Sequence, residues 1–135
     1  MTQNKTTATA GKPGDYIAAI PDESRQRDCQ SLLVLMEKAS KHPAVMWGPA
    51  IVGFGVHTYL LAGGKQGEIC AVGFSSRKGD ISIYGVTRTP AAPELLQRLG
   101  KHKLGRGCLY VSRLADIDLK ILEKLVSHVI KAKHG

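Results

Sequence analysis

Between residues 22 and 40 the apolar positions return at helical spacing. Cys29, Leu32, Met36 and Ala39 fall on one stripe, with Leu33 and Leu35 beside it. A single apolar stripe flanked by polar residues predicts a helix packed on a core. Pro21 suits the entry to that helix, and Asp22 and Glu23 suit its first turn, where free N–H groups favour negative charge. Residues 15–20 read as a short helical segment ahead of it. His42-Pro43 ends the helix, because a residue before proline is pushed out of the helical region.

The period then changes. Residues 50–54 and 56–61 are rich in β-branched and aromatic residues, interrupted by Gly53 and Gly55. Glycine inside a strand pattern marks a bulge or a close backbone approach. Residues 68–75 and 80–84 give two further strands after turns at 63–67 and 76–79, and such short turns join antiparallel neighbours. Pro93 opens a short helix over 93–99 and Gly100 closes it. Residues 108–111 form a fifth strand. Asp116 is placed to cap a last helix, in which Ile117, Ile121, Leu125 and Val129 recur every fourth residue, reinforced by Leu122. The predicted fold is α+β: an antiparallel sheet of about five strands with N-terminal and C-terminal helices packed on it.

A chain of 135 residues suits one domain, and that size buries ~68–70% of the unfolded surface. Residues 1–14 are polar and Thr-rich and read as a flexible tail without the apolar segment of a signal peptide. Residues 15–135 read as the domain. The run between Lys41 and Lys65 carries no charge, but its five glycines and two prolines fit strands and turns rather than a membrane span. Cys29, Cys70 and Cys108 are an odd set without a Cys-x-x-Cys pair, which argues against a disulfide framework or zinc knuckle and for reduced thiols in the cytoplasm.

Charge adds direction. The chain has 19 Lys and Arg against 11 Asp and Glu, a net +8. Residues 15–37 carry −3 and residues 38–135 carry +9, so the body of the fold favours anionic partners. The densest cluster is the loop 101–107, with Lys101, His102, Lys103 and Arg106 and no acid between Leu95 and Ala115. Its glycines expose backbone N–H groups suited to an anion, and Arg106 is able to hold a phosphate or carboxylate with two parallel hydrogen bonds. Arg77 on a hairpin turn and Trp47, the single tryptophan, are candidate neighbours of this patch. The plainer readings are solvated turns for the cations and a core anchor for Trp47. His57 and Tyr59 share one strand face, which Tyr84 and Tyr110 are candidates to join.

No His-x-x-x-His spacing, nucleophile elbow or Cys–His arrangement is present, and capping accounts for Asp116 and Asp118. The residues point to a non-enzymatic binding module for a small anionic ligand or an acidic protein partner, with no cofactor. Aromatic residues are only 5% of the chain, and no basic–aromatic interleaving builds a stacking surface for specific nucleic-acid binding.

Several segments resemble the YdhG-like family of small bacterial domains of unknown function. They are Tyr16-Ile17-Ala18-Ala19-Ile20-Pro21, Met46-Trp47-Gly48-Pro49, Ile51-Val52-Gly53-Phe54-Gly55, Gly73-Phe74-Ser75-Ser76-Arg77-Lys78 and the run from Leu99 to Tyr110, continued by Leu114-Ala115-Asp116-Ile117-Asp118. The resemblance covers about residues 15–132 and implies an α+β sandwich related in shape to frataxin. It also implies an alternative function, iron chaperoning, since some relatives are described so. In this chain Asp22, Glu23, Asp28 and Glu37 would have to supply the ligands. Arg25 and Arg27 sit among them, and residues 50–61 carry no carboxylate, a poor oxygen set for a hard cation.

Overall fold

The computed structural model describes residues 11–48, 50–60, 62–105 and 108–134, with residues 59–60 and 132–134 described by their backbone alone. Helices α1 (Pro13–Ala18) and α2 (Glu23–Ser40) come first. Helix α1 starts two residues before the predicted segment, inside the predicted tail of residues 1–14, of which residues 1–10 lie outside the described residues. Asp22 starts α2 by accepting a hydrogen bond from Ser24 N–H at 3.1 Å, which satisfies one of the free donors of a helix start. The side-chain amide of Gln26 donates to the carbonyls of Ile17 and Ala18 and ties α1 to α2.

The strands are β1 (Ala44–Trp47), β2 (Ile51–Phe54), β3 (His57–Leu60), β4 (Gln66–Ile69), β5 (Val72–Ser76), β6 (Ile81–Tyr84), β7 (Lys103–Gly105) and β8 (Cys108–Val111). Helix α3 (Ala92–Gln97) lies between β6 and β7, and α4 (Leu119–His134) follows β8. Six strands form one antiparallel sheet in the order β1-β2-β5-β6-β8-β7, and β3 pairs with β4. The fold is α+β, as expected, with six strands in the main sheet instead of about five. The outer strands β1 and β7 are added, while the strand predicted over 56–61 leaves the main sheet as β3. The predicted strand over 68–75 also divides, at Cys70–Ala71, into β4 and β5.

Strands β2–β3 and β4–β5 are the two limbs of a single long hairpin. Val72 faces Phe54, Ala71 N–H donates to the Gly55 carbonyl at 3.3 Å, and Ile69 faces His57. Two residues lie on each limb between the first pair and the last, so the register never slips. The ribbon breaks from the main sheet at Gly55, in left-handed conformation at φ 71°.

Period-two alternation decides the core. Val52, Phe54, Val72, Phe74, Ile81, Ile83, Leu109 and Val111 are buried on one face of the sheet, and all four helices contribute to the same cluster. From α2 come Cys29, Leu32 and Met36, all fully buried, and from α4 Ile121, Leu122, Leu125, Val126 and Val129. The Phe54 and Phe74 rings stack with centroids 6.4 Å apart. The alternate positions Gly53, Gly73, Ser75, Ser82, Tyr84 and Tyr110 lie on the opposite face.

The last helix starts differently from the prediction. Asp116 ends a tight turn over Leu114–Asp116, and Asp118 receives the Lys120 N–H at 2.9 Å, so Asp118 is the cap. The strap before β7 is fastened to this turn: Lys101 N–H donates to the Asp116 carbonyl and Asp118 N–H to that of Leu99. Gly100 takes φ 117° where the two segments cross, and a β-carbon there would collide with the Asp116 carbonyl oxygen. Only glycine suits that combination of dihedral and close approach.

Candidate anion-binding site

Three of the predicted site residues, Lys101, His102 and Lys103, border one small cleft. Its volume is about 210 Å³, and Gly79, Asp80, Tyr110 and Ser112 complete its lining. The strap contacts just described fix the Lys101 backbone. His102 is held by a 2.7 Å hydrogen bond between Nδ1 and the Gly100 carbonyl. Lys103 faces Tyr110 across the β7–β8 pair. The Tyr110 ring lies over Gly105, which has no side chain to displace it. Two lysines and an imidazole therefore surround a space suited to one phosphate or carboxylate group, with a single carboxylate, Asp80, opposing them. The Tyr110 phenol is held above its ordinary pKa, chiefly by the neighbouring Cys108 thiol and with a contribution from Asp80. Arg106 lies outside the described residues.

Arg77 stands beside this cleft rather than in it. Its Nη2 donates to the Tyr84 hydroxyl at 3.0 Å, and that hydroxyl also shares a 3.1 Å hydrogen bond with the buried Ser75. The bond to Tyr84 is the main reason the guanidinium pKa is raised. Arg77 faces a second hollow of about 250 Å³, with Arg25, Asp22 and Ser76. Gly79 belongs to both hollows, so the turn after β5 is the wall between them. Arg25 positions that turn: its Nη1 donates to Ser76 Oγ at 3.1 Å, to the Arg77 carbonyl at 2.7 Å and to the Asp80 carbonyl at 2.9 Å. Sequence reading counts Arg25 only as a charge among the acids of α2. Tyr16 adds a further clasp by accepting from Ser76 N–H at 3.0 Å, and burial raises its phenol pKa.

Trp47 is not part of this site. It sits on β1, one edge of the sheet, whereas Lys103 sits on β7, the other edge. Five inter-strand steps separate them, roughly 24 Å at about 4.8 Å each. The indole is only 5% exposed and packs with Cys70 over Gly53, where any β-carbon would strike both side chains. Gly53 is thus the close approach that its place in a strand predicts. The indole N–H is buried without a partner among the described residues. Tyr84 and Tyr110 share the helix-free sheet face, while His57 belongs to the separate ribbon.

The four carboxylates of the iron alternative do not converge. Asp22 caps α2, Glu23 pairs with Arg27 at 3.7 Å, Asp28 accepts from Leu114 N–H at 3.2 Å and Glu37 accepts from Ala44 N–H at 3.2 Å. Among the described residues no group of three or more His, Cys, Asp or Glu side chains is placed to hold a metal ion, and no helix is long and apolar enough to cross a membrane.

Sequence reading misses a wider groove of about 720 Å³ between α3 and α4. Arg98, Lys120, Lys124 and Lys131 border it, over a floor that reaches the buried Leu95. Its signal is present in the sequence as basic residues at helical spacing on the side of α4 away from the apolar stripe.

Comparison with known proteins adds no relative: no family model, curated protein or solved structure matches this chain.

Proposed function

We propose that this protein is a non-enzymatic binding module, of the YdhG-like type, whose cleft at Lys101, His102 and Lys103 takes the phosphate or carboxylate group of a small ligand. The observation that carries this reading is the convergence of those side chains, with Tyr110, on one concave space. A merely solvated turn would spread its cations outward. The space is below the ~300–1,000 Å³ of drug-sized ligand pockets, which suits an anionic group rather than a whole cofactor. Three free cysteines support a reducing, cytoplasmic setting. The iron-chaperone alternative has no comparable convergence behind it.

The test is an amide NMR titration with inorganic phosphate. Shifts clustered on residues 100–105 and 110–112, lost in Lys101→Ala/Lys103→Ala, support the site. Shifts absent there, or unchanged in the double variant, reject it.

A further inference from the structure

The groove between α3 and α4 is separate from the anion cleft and differs in build. Lys120, Lys124 and His128 succeed one another every fourth residue along α4, so they stand about 6 Å apart along the helix axis. Lys131 continues the row, and Arg98 faces it from the end of α3. None of Arg98, Lys120, Lys124 or Lys131 is ion-paired among the described residues. Glu123 lies in the same lining but within 4.0 Å of none of them. Four cations against one carboxylate leave this wall net positive, and an acidic occupant is attracted to it.

We infer that this groove binds an extended acidic peptide segment of a partner protein. Alternate side chains of an extended chain are about 6.6 Å apart, close to the axial step of the lysine row. Acidic residues at alternate positions therefore meet Lys120 and Lys124 in turn, with His128 and Lys131 further along the row. From Lys120 to Lys131 the row runs about 16–17 Å, the length of roughly five extended residues. The groove floor at Leu95, itself buried in the core, and the hydroxyl of Ser127 suit the backbone of a peptide. They do not suit a single-stranded nucleic acid, which brings an unbroken row of phosphates past Glu123 and finds no aromatic ring to stack on.

The experiment is fluorescence polarisation with a labelled peptide carrying Glu at alternate positions between Leu and Ala. Its Gln counterpart and a labelled oligothymidylate of similar length serve as comparisons. Expected is binding of the Glu peptide that weakens about tenfold or more in Lys120→Glu/Lys124→Glu, as when complementary charge is reversed. Expected too is little change in Lys38→Glu/Lys65→Glu, lysines that line neither the groove nor the anion cleft. The milder pair Lys120→Gln/Lys124→Gln, checked for folding by circular dichroism, must give a smaller loss in the same direction. Three results overturn the inference: no binding of the Glu peptide at low salt, equal losses in the two charge-reversed proteins, or tighter binding of the oligothymidylate. The phosphate titration of residues 100–105 is read separately in the same Lys120 and Lys124 variants, so failure of one site does not imply failure of the other.

Discussion

The guanidinium of Arg25, on α2, donates a 2.7 Å hydrogen bond to the main-chain carbonyl of Arg77. Through this bond and its contacts to Ser76 and Asp80, a helix residue fixes the turn that walls the anion cleft. The Arg77 side chain is directed elsewhere, to Tyr84.

Two arginines of α2 should therefore behave unlike each other. Arg25→Ala removes a charged donor from three acceptors and is expected to cost about 1.5–3 kcal/mol, the range for hydrogen bonds to charged groups. Arg27→Ala removes only an exposed pair with Glu23 and is expected to cost less than about 0.5 kcal/mol. Urea denaturation of both variants measures the difference. Equal losses would show that the turn is held by other contacts.

Asp80 gives the cleft a gain-of-affinity test. Its carboxylate is the one acid among the lining residues, whereas its carbonyl holds Arg25. Asp80→Asn keeps the carbonyl and removes the charge. Phosphate affinity is expected to rise about three- to tenfold, the scale of one like-charge contact near a wet surface. Raising salt from about 0.05 M to about 0.5 M should erase most of that gain, because the screening length falls from about 14 Å to about 4 Å. The NMR titration reads both effects.

Gly100→Ala is expected to destabilise the fold by about 2–4 kcal/mol, since it joins a positive φ to a collision with the Asp116 carbonyl. The loss should come with faster hydrogen exchange at the Lys101 and Asp118 amides, whose bonds fasten the strap to the start of α4.

The thiols set an alkaline limit. Burial pushes Cys29 and Cys70 up from 9.0 to about 11. The folded values lie above the unfolded one. Stability from these groups is therefore complete below pH 9 and falls as pH rises toward 11, by about 2–3 kcal/mol for each thiol. Denaturation midpoints measured between those limits should decline in wild type and decline less in Cys70→Ala. At pH 8, Cys108, the half-buried cysteine, should be modified by a disulfide reagent well ahead of the other two.

How far the fold was legible follows from where each side chain ends up. The stripes of α2 and α4 meet one core on one side, which is what helical periodicity reports. Both outer strands escaped, for opposite reasons. Every residue of β1 is at least partly buried, because the helices cover one face while Trp47 packs over Gly53 and Cys70 on the other. In β7 every residue is exposed. Neither gives the alternation of a half-buried strand. The lysines of the cleft could be read from their density, but their partners Asp80 and Tyr110 arrive from other strands. The stapling role of Arg25 depends on acceptors more than fifty residues away, beyond the reach of local pattern.

The unbroken register of the β2–β5 hairpin has a consequence for how such chains diverge. Residues added or lost at its tip in facing pairs lengthen or shorten the arm while Val52, Phe54, Val72 and Phe74 keep their partners. A single insertion in one limb would instead turn the residues beyond it toward the opposite face. Descendants of this sequence are therefore free to vary in length near residues 62–64, in even steps, and the two halves of the domain should be aligned separately when they are compared.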